Sequence, residues 1–199
     1  EEGVLITNFQ LVEQGRLREA ELRAVLAGAT YPARNIDQNV ADLHAQVAAN
    51  EKGREELLNM VATFGLDVVH AYMKHVQDNA EESVRRAIER LTDGHFAVQL
   101  DNGAKIDVRL TVDRATRSAT LDFSGSSRQL PNNSTAPRAV TTAAVLYVFR
   151  TLVNDDIPLN AGCLEPLRIV IPEGSMLKPR HPAAVVAGNV ETSSVITNA

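Results

Sequence analysis

The spacing of apolar residues changes once along the chain, and this change constrains the fold more than any other feature. From residue 36 to residue 91, apolar side chains recur every three or four positions, as they do on one face of a helix. From residue 96 to residue 123 they alternate with polar side chains, as in half-buried strands. The sequence therefore predicts an α+β chain in which long helices precede a small sheet.

Two long amphipathic helices are predicted in the first part of the chain. The first begins at the capping residue Asn35, has an expected kink near Gly53 and ends at Gly65. The second carries its apolar stripe at Val69, Met73, Val76, Ala80, Val84, Ala87 and Leu91. Because a single glycine-centred turn joins the two helices, we expect an antiparallel helical hairpin. An extended arm and a short helix over residues 17–29 precede it.

The second part of the chain predicts a sheet, a buried helix and long loops. Alternating runs at 96–100, 106–112 and 119–123 predict a three-stranded antiparallel meander, with Asn102-Gly103 as the hairpin signal. Residues 136–153 are apolar nearly all round and predict a buried helix, with Ser134 or Thr135 available as its cap and Pro137 in its first turn. Prolines and glycines then predict ordered loop with one short strand around 167–171.

These patterns divide the chain into two regions. Residues 1–93 form the arm and the helical hairpin, and residues 94–199 form the sheet, buried helix and loops, which we expect to be a truncated part of a larger catalytic domain. The closing string GNVETSSVITNA predicts neither helix nor strand. We therefore expect the sequence to be a piece of a longer protein.

The composition argues against several classes of protein. A formal net charge of −5, without a basic stripe, disfavours binding to nucleic acid or to an anionic membrane surface. The longest apolar run, 141–148, is far shorter than the roughly 20 residues of a membrane span, and the first residues lack an export signal. The single cysteine, Cys163, excludes an intrachain disulfide and is interpreted as a small buried hydrophobe. A cytoplasmic location is expected.

The histidines and serines do not form a recognisable catalytic motif. His70 and His75 lie five residues apart, about 140° around a helix, so they cannot chelate a metal together, and no metal site is predicted. His75 shares a face with Asp78 and Glu82, but this face lies opposite the apolar stripe and is expected to be solvated. The string SGSS lacks the glycine of a nucleophile elbow, and no phosphate-binding Gly-Lys-Ser/Thr string occurs.

Two polar segments remain as candidates for a binding surface. The loop DFSGSSRQLPNNST, residues 122–135, leads into the N-terminus of the buried helix, where free N–H groups favour an anion. A second polar string, AGNVETSS, spans residues 187–194 and has one charge, Glu191. Serine, asparagine and aspartate also satisfy turn backbones by themselves. The residues alone leave a scaffold role and a ligand-binding role open.

The sequence resembles the hydantoinase B/oxoprolinase family in six strings that keep the order and spacing of that family. The strings are ADLHAQVAANEKG (41–53), VQDNAEESVRRAI (76–88), LDFSGSS (121–127), NSTAPRAVTTAAVLYVFR (133–150), IPLNAGCLEPL (157–167) and PAAVVAGNVETSSVI (182–196). The likeness covers nearly the whole chain. Pro131 and Asn132 stand where relatives tend to have Gly-Asn. The histidine- and aspartate-containing segment that we associate with metal binding in this family does not occur in the sequence.

The resemblance implies a function for the protein of which this chain is a part. It implies ATP-dependent opening of a cyclic amide, 5-oxoproline or a hydantoin, together with a hydantoinase A-type subunit or domain that phosphorylates the substrate. Related subunits serve ketone carboxylases, and a structural or assembly module of a multi-subunit complex is a further alternative. ATP and a divalent metal are expected in the complete complex, which we expect to be oligomeric, and neither is expected to bind to this chain.

Substrate contacts are expected in the two polar segments. A cyclic imide presents both hydrogen-bond donors and acceptors, so amide and hydroxyl side chains suit it. The expected substrate-binding residues are Ser126, Gln129, Asn133, Asn189, Glu191 and Ser193. We expect the first three to face one cavity shared with the GNVETSS string. No catalytic residue is predicted.

Overall fold

The computed structural model describes residues 4–153 and 155–199. The start of the predicted arm, residues 1–3, and Asn154 in the loop after the buried helix lie outside the described residues. The chain divides into two compact units, Glu1–His70 and Ala71–Ala199. The helices are α1 Glu19–Ala27, α2 Ile36–Phe64, α3 Leu66–Ile88, α4 Arg138–Leu152 and α5 Gly188–Thr197, with a 3-10 helix at Ala161–Leu164. The strands are β1 Val12–Glu13, β2 Arg16–Leu17, β3 Gly94–Gln99, β4 Lys105–Asp113, β5 Ser118–Asp122 and β6 Leu167–Val170.

The first unit is built around α1 and the start of α2. Leu22 and Leu26 of α1 are buried together with Val40 of α2, and apolar residues of the arm pack on them. The arm forms a short antiparallel hairpin, β1–β2, which the sequence analysis did not predict. Its turn residues Gln14 and Gly15 both have positive φ, at 49° and 78°, as a tight hairpin turn requires.

The helix α2 begins and ends where the sequence predicts. The Asn35 side chain accepts a hydrogen bond from the Gln38 N–H at 3.2 Å, and Gly65 ends the helix with φ +83°. The helix is continuous through Gly53, where a kink is predicted. Its side chains beyond Val40 are exposed or partly exposed, including the large apolar residue Phe64.

The apolar stripe of α3 is buried over only part of its length. Ala80, Val84 and Ala87 of the predicted stripe are buried in the core of the second unit, and Ile88, which is not part of the predicted stripe, is buried beside them. Met73 and Val76 on the same stripe are each 42% exposed. The two long helices and their glycine junction are confirmed. Periodicity shows which face of a helix is apolar, and it does not show which neighbour covers that face.

The sheet contains the predicted meander and one further pairing. Strands β3, β4 and β5 are antiparallel neighbours, and β6 lies parallel to β5, with Leu121 opposite Ile169. Residues 100–104 connect β3 to β4, and Gly103 has φ +83°, so the predicted hairpin is confirmed with a five-residue loop. Ile106 of β4 is buried, and Phe123, directly after β5, is buried as well.

The helix α4 is buried on one face only. Thr141, Val145 and Phe149 are buried, as predicted for a buried helix, whereas Tyr147 on the other side is 62% exposed. An apolar composition could not reveal that the second unit covers a single side of this helix. Pro137 is the N-cap, and the helix has no side-chain cap.

Neither predicted cap residue, Ser134 or Thr135, caps α4. The Thr135 hydroxyl donates to the Ala184 carbonyl, and the Ser134 N–H donates to the Asn132 side chain at 3.0 Å. Thr135 is also buried. The polar residues before α4 therefore hold neighbouring backbone rather than the end of the helix.

The closing string forms a helix, contrary to the prediction. Its serines and threonines have modest helix propensity, but α5 packs along α4 and buries Gly188, Thr192 and Ile196 on one face. At its start the Gly188 N–H donates to the Asn133 carbonyl at 3.0 Å. Tertiary packing overrides the weak local preference here.

Two further expectations concern burial and length. Cys163 is fully buried in the 3-10 helix, as interpreted from the sequence. Within residues 4–153 and 155–199 there is no helix with the length and apolar character needed to cross a membrane.

Candidate functional site

An open polar cavity of about 630 Å³ lies between two loops of the second unit. One wall comes from the loop that follows β5, and the other comes from the segment that follows β6. The lining residues are Ser124, Ser126, Arg128, Gln129, Pro172, Glu173, Gly174, Ser175 and Arg180.

The first wall is fixed to the edge of β4. The Ser126 hydroxyl donates to the Asp107 carbonyl and accepts from the Asp107 N–H, both at 3.1 Å. The Ser127 hydroxyl accepts from the Lys105 N–H at 2.9 Å. β5 ends at Asp122 and does not reach this part of β4. The two serine hydroxyls therefore provide hydrogen-bond partners for the backbone N–H and C=O groups of β4 that β5 leaves unpaired.

Gly125 allows this close approach. A Cβ atom at this position would lie 2.6 Å from Cγ of Asp107, which is closer than real side-chain contacts.

The carboxylate of Asp107 accepts hydrogen bonds from Lys105 Nζ at 2.8 Å and, when His95 Nε2 carries its proton, from His95 at 3.0 Å. These bonds, with that of Lys105 the strongest, lower the pKa of the Asp107 carboxyl.

The second wall is joined to the first by backbone hydrogen bonds. The Gln129 N–H donates to the Gly174 carbonyl and the Met176 N–H donates to the Ser127 carbonyl, both at 2.9 Å. Gly174 has φ +76°, which places it in a turn that favours glycine. The two walls of the cavity therefore form a single hydrogen-bonded structure.

The side chain of Gln129 has a fixed orientation in the cavity. Its Oε1 accepts a hydrogen bond from the Arg180 N–H at 2.8 Å. This bond orients the amide and takes one of the two acceptor positions of its oxygen, so the nitrogen is the end with both of its hydrogens available to a ligand. That nitrogen has no hydrogen-bond partner among the residues that the structure describes.

The cavity wall carries two arginines and one carboxylate. Lys178 Nζ lies 2.8 Å from Glu173 Oε2, and this hydrogen bond, aided by the charge of Arg180, lowers the pKa of the Glu173 carboxyl. Arg128 and Arg180 take part in no ion pair within the described part of the chain. The wall therefore presents more positive than negative charge.

The structure separates the six predicted substrate-binding residues. Ser126 and Gln129 line the cavity. Asn133 is exposed outside it, and its carbonyl holds the start of α5. Asn189 and Glu191 are exposed in the first turns of α5, and the Ser193 hydroxyl donates to the Asn189 carbonyl at 2.7 Å. The role of all six in substrate binding stays a prediction.

The two arginines and the whole second wall were not predicted from the sequence. Arg128 lies inside the polar loop at residues 122–135, and Arg180 follows a string with a Pro-Glu-Gly turn signal. A turn signal predicts a local bend, but it does not show that residues 172–180 return to residues 124–129. Only this long-range pairing brings the two guanidinium groups to one surface.

Two other groups of ionisable residues have structural partners. Glu82 of the face predicted to be solvated accepts a two-pronged hydrogen bond from Arg117, with both distances 2.8 Å, which lowers the pKa of the Glu82 carboxyl. Asp78 on that face pairs with Lys74 at 2.6 Å.

Among residues 4–153 and 155–199 no group of three or more histidine, cysteine or acidic side chains is placed to hold a metal ion.

An apolar cavity of about 370 Å³ lies between the sheet and the helices α4 and α5. Phe96, Leu110 and Phe149 are among its lining residues. Apart from His95, its lining side chains carry no hydrogen-bonding group. The polar cavity is therefore the better candidate for a site that recognises a polar ligand.

The fold of the chain is shared with two solved enzymes. The ATP-dependent caprolactamase from Pseudomonas jessenii superposes with a TM-score of 0.74 and 20% identity, over 96% of this chain and 34% of that one. The nucleotide-free acetone carboxylase gives a TM-score of 0.69 and 16% identity, over 92% of this chain and 26% of that one. At these identities the likeness shows the common fold alone.

Sequence comparison shows the family. The chain is 40% identical to the 5-oxoprolinase of Dictyostelium discoideum over 207 residues, which cover 100% of this chain and 16% of that protein. The chain thus spans about a sixth of the length of this relative. The profile of the family described as Hydantoinase B/oxoprolinase matches residues 1–199. The resemblance found in the six sequence strings is thereby confirmed, and the chain belongs to the hydantoinase B/oxoprolinase family.

Proposed function

We propose that this chain is part of an enzyme that hydrolyses a cyclic amide in an ATP-dependent reaction, with 5-oxoproline as the substrate. The observation that carries this proposal is the 40% identity to a 5-oxoprolinase over the whole chain. The chain spans only 16% of that relative, so the activity is proposed for the complete protein and not for this part alone.

The chain contributes a polar recognition surface in this proposal. A lactam presents a carbonyl acceptor and an N–H donor. The Gln129 amide nitrogen can donate to the carbonyl, because its oxygen is held by the Arg180 N–H. The Ser126 hydroxyl is already bonded to β4, so its contribution is to fix the loop that carries Gln129.

The family also implies ATP and a divalent metal, and the described residues do not fit these two groups. They offer no set of side chains for a divalent metal, and the sequence contains no Gly-Lys-Ser/Thr phosphate-binding string. In the proposed enzyme, ATP and the metal are held by other parts of the complete complex. ATP held there would supply a phosphoryl group for activation of the amide.

The proposal is tested with the complete enzyme that contains this chain, purified together with its hydantoinase A-type subunit or domain. Glutamate formation from 5-oxoproline, with and without ATP, is the measurement. ATP-dependent glutamate formation supports the proposal. A complete enzyme that consumes ATP with acetone and bicarbonate, and not with 5-oxoproline or hydantoin, would place the protein in the carboxylase branch instead.

Gln129→Ala in the complete enzyme tests the place of the cavity in this function. We expect turnover of 5-oxoproline to fall more than about tenfold, which corresponds to about 1.4 kcal/mol of transition-state stabilisation. Gln99→Ala is the matched control, because Gln99 is an exposed glutamine at the end of β3 outside the cavity. Full activity of Gln129→Ala together with a lower melting temperature would assign the loop to the scaffold.

An exposed apolar face of α2 supports the assembly role that the sequence left open. Leu57, Met60 and Phe64 lie on one face of the helix at a spacing of three and four residues, and each is at least 45% exposed. Large apolar side chains exposed in this pattern are typical of a face that binds another protein. We propose the hydantoinase A-type partner as its occupant.

Co-purification of the partner tests this second proposal. Leu57→Glu should reduce recovery of the partner, because it places a charge in an apolar contact. Ala48→Glu is the control on the opposite face of the same helix. Unchanged recovery of the partner with Leu57→Glu would contradict the proposed contact.

A further inference from the structure

We infer that the polar cavity is an oxyanion-binding site in which Arg128 and Arg180 bind a carboxylate or a phosphoryl group. The inference deepens the proposed function and rests on it only for the identity of the ligand. A 5-oxoproline molecule carries a carboxylate, and an activated substrate carries a phosphoryl group, so the proposed reaction supplies either oxyanion.

The charge of the cavity differs from that of the chain. The chain as a whole has a formal net charge of −5, yet two of the nine lining residues are arginines and one is acidic. Lys178 pairs with that acidic residue, Glu173, at 2.8 Å. Glu173 also feels the charge of Arg180, so three cationic side chains, those of Arg128, Lys178 and Arg180, stand against one carboxylate at this cavity.

The position of Arg180 places its side chain at the cavity wall. Its Nε lies 3.9 Å from the position that a Cβ of Gly174 would occupy, and Gly174 itself lines the cavity. The Arg180 backbone is held by Gln129 on the opposite wall. The segment that carries this guanidinium is therefore fixed before any ligand binds.

Arg128 approaches from the other wall. It forms an isolated antiparallel bridge with Ser175, so its backbone is also tied to the second loop. The cavity thus has one arginine on each wall. A carboxylate or phosphate between them can accept hydrogen bonds from both forks.

A further donor faces the cavity beside the two arginines. The amide of Gln129 offers its N–H₂ end, because its oxygen already accepts from the Arg180 N–H. Arginine and glutamine donors therefore face a space of about 630 Å³, which is ample for a small carboxylate or phosphate.

Calorimetric titration of the full 199-residue chain, in a buffer without phosphate or sulfate, tests the inference. The probes are inorganic phosphate, 5-oxoproline and 2-pyrrolidinone, which has the same lactam ring without the carboxylate. We expect saturable binding of phosphate, of 5-oxoproline or of both, and no binding of 2-pyrrolidinone. Preference for 5-oxoproline over phosphate identifies the carboxylate as the ligand group, and the reverse preference identifies the phosphoryl group.

Single arginine variants locate the binding. Arg128→Gln and Arg180→Gln should each weaken binding of the preferred probe by about tenfold or more, equivalent to about 1.4 kcal/mol. Arg168→Gln is the matched control, because Arg168 is an exposed arginine on β6 that does not line the cavity. Melting curves of all variants show whether each remains folded.

Two results would overturn the inference. One is the absence of saturable binding of both phosphate and 5-oxoproline, and the other is equal binding by the folded Arg128→Gln, Arg180→Gln and Arg168→Gln variants. Neither result concerns ATP-dependent turnover by the complete enzyme. Failure of the oxyanion site is therefore distinguishable from failure of the proposed function.

Discussion

Single glycines set the closest contacts in the second unit. At Gly188 an added Cβ would lie 2.1 Å from the carbonyl oxygen of Thr135, which is backbone and cannot move aside. At Gly162 it would lie 2.1 Å from the carbonyl oxygen of Gln77. Both glycines lie in sequence strings that resemble the family. In this fold a larger residue at either position would collide with backbone.

Replacing Gly188 tests this steric requirement. Gly188→Ala should lower the free energy of unfolding by on the order of 2–4 kcal/mol, because α5 must move away from residues 134 and 135. Gly94→Ala is the control in the same unit, since a Cβ at Gly94 meets nothing within 4 Å. Urea unfolding measures both variants. Equal stabilities would show that α5 shifts without cost.

The Asp107 carboxylate links stability to pH. Its pKa is lowered in the fold by the hydrogen bonds from Lys105 and His95, so the ionised form stabilises the native state. This contribution is present above the unfolded pKa of about 4 and is lost as the pH falls through the folded value. We expect Asp107→Asn to unfold more easily at neutral pH and to lose less stability than the native chain on acidification.

Urea midpoints measured from about pH 7 down to about pH 2 check this expectation. Other carboxyls with lowered pKa, such as those of Asp122 and Glu173, contribute to the acid loss in both proteins. The informative quantity is therefore the difference between the native and variant curves. Asp101→Asn in the β3–β4 loop is the control, and a difference that stays constant over the whole range would exclude the Asp107 contribution.

At the scale of residues, the sequence predicted part of the candidate site. Ser126 and Gln129 could be singled out because hydroxyls and amides cluster in one loop. The Ser126 hydroxyl is hydrogen-bonded to the backbone of β4. This role depends on where β5 ends, so it could not be predicted from the sequence. Arg180 could not be connected with Gln129, because their contact joins residues 51 positions apart.

At the scale of elements, local periodicity predicted most helices and strands. The Asn35 cap, the Gly65 stop and the β3–β4–β5 meander depend on short-range patterns, and all are confirmed. The helix α5 and the parallel pairing of β6 depend on packing and pairing with distant segments. Short polar or apolar strings do not carry that information.

The partial burial of α3 gives a matched pair of substitutions within one helix. Val84→Asp should cost about 3–5 kcal/mol of unfolding free energy, because Val84 is fully buried and a charge there has no partner. Met73→Asp, on the same stripe but 42% exposed, should cost less than about 1 kcal/mol in the isolated chain. Thermal or urea unfolding followed by circular dichroism distinguishes the two. A large cost for Met73→Asp would show that this part of the stripe is covered in solution.

At the scale of the whole molecule, two of the exposed apolar regions among the described residues lie on the long helices. They are the face of α2 at residues 57–64 and the exposed positions Tyr72, Met73 and Val76 on α3. Exposure of such apolar side chains to water is unfavourable in free energy. The proposed assembly with a partner would offset this cost for the α2 face.

The isolated chain is expected to show no ATP-dependent hydrolysis of 5-oxoproline or hydantoin. It spans 16% of the length of a related 5-oxoprolinase, its sequence contains no Gly-Lys-Ser/Thr phosphate-binding string, and its described residues offer no metal-binding cluster. The inferred oxyanion site lies wholly in the second unit, so the same preparation should still bind phosphate or 5-oxoproline. Glutamate release with and without ATP, measured beside calorimetric titration on one sample, separates recognition from chemistry. ATP-dependent glutamate release by the purified chain would contradict this division, because the described residues would then have to activate the amide themselves.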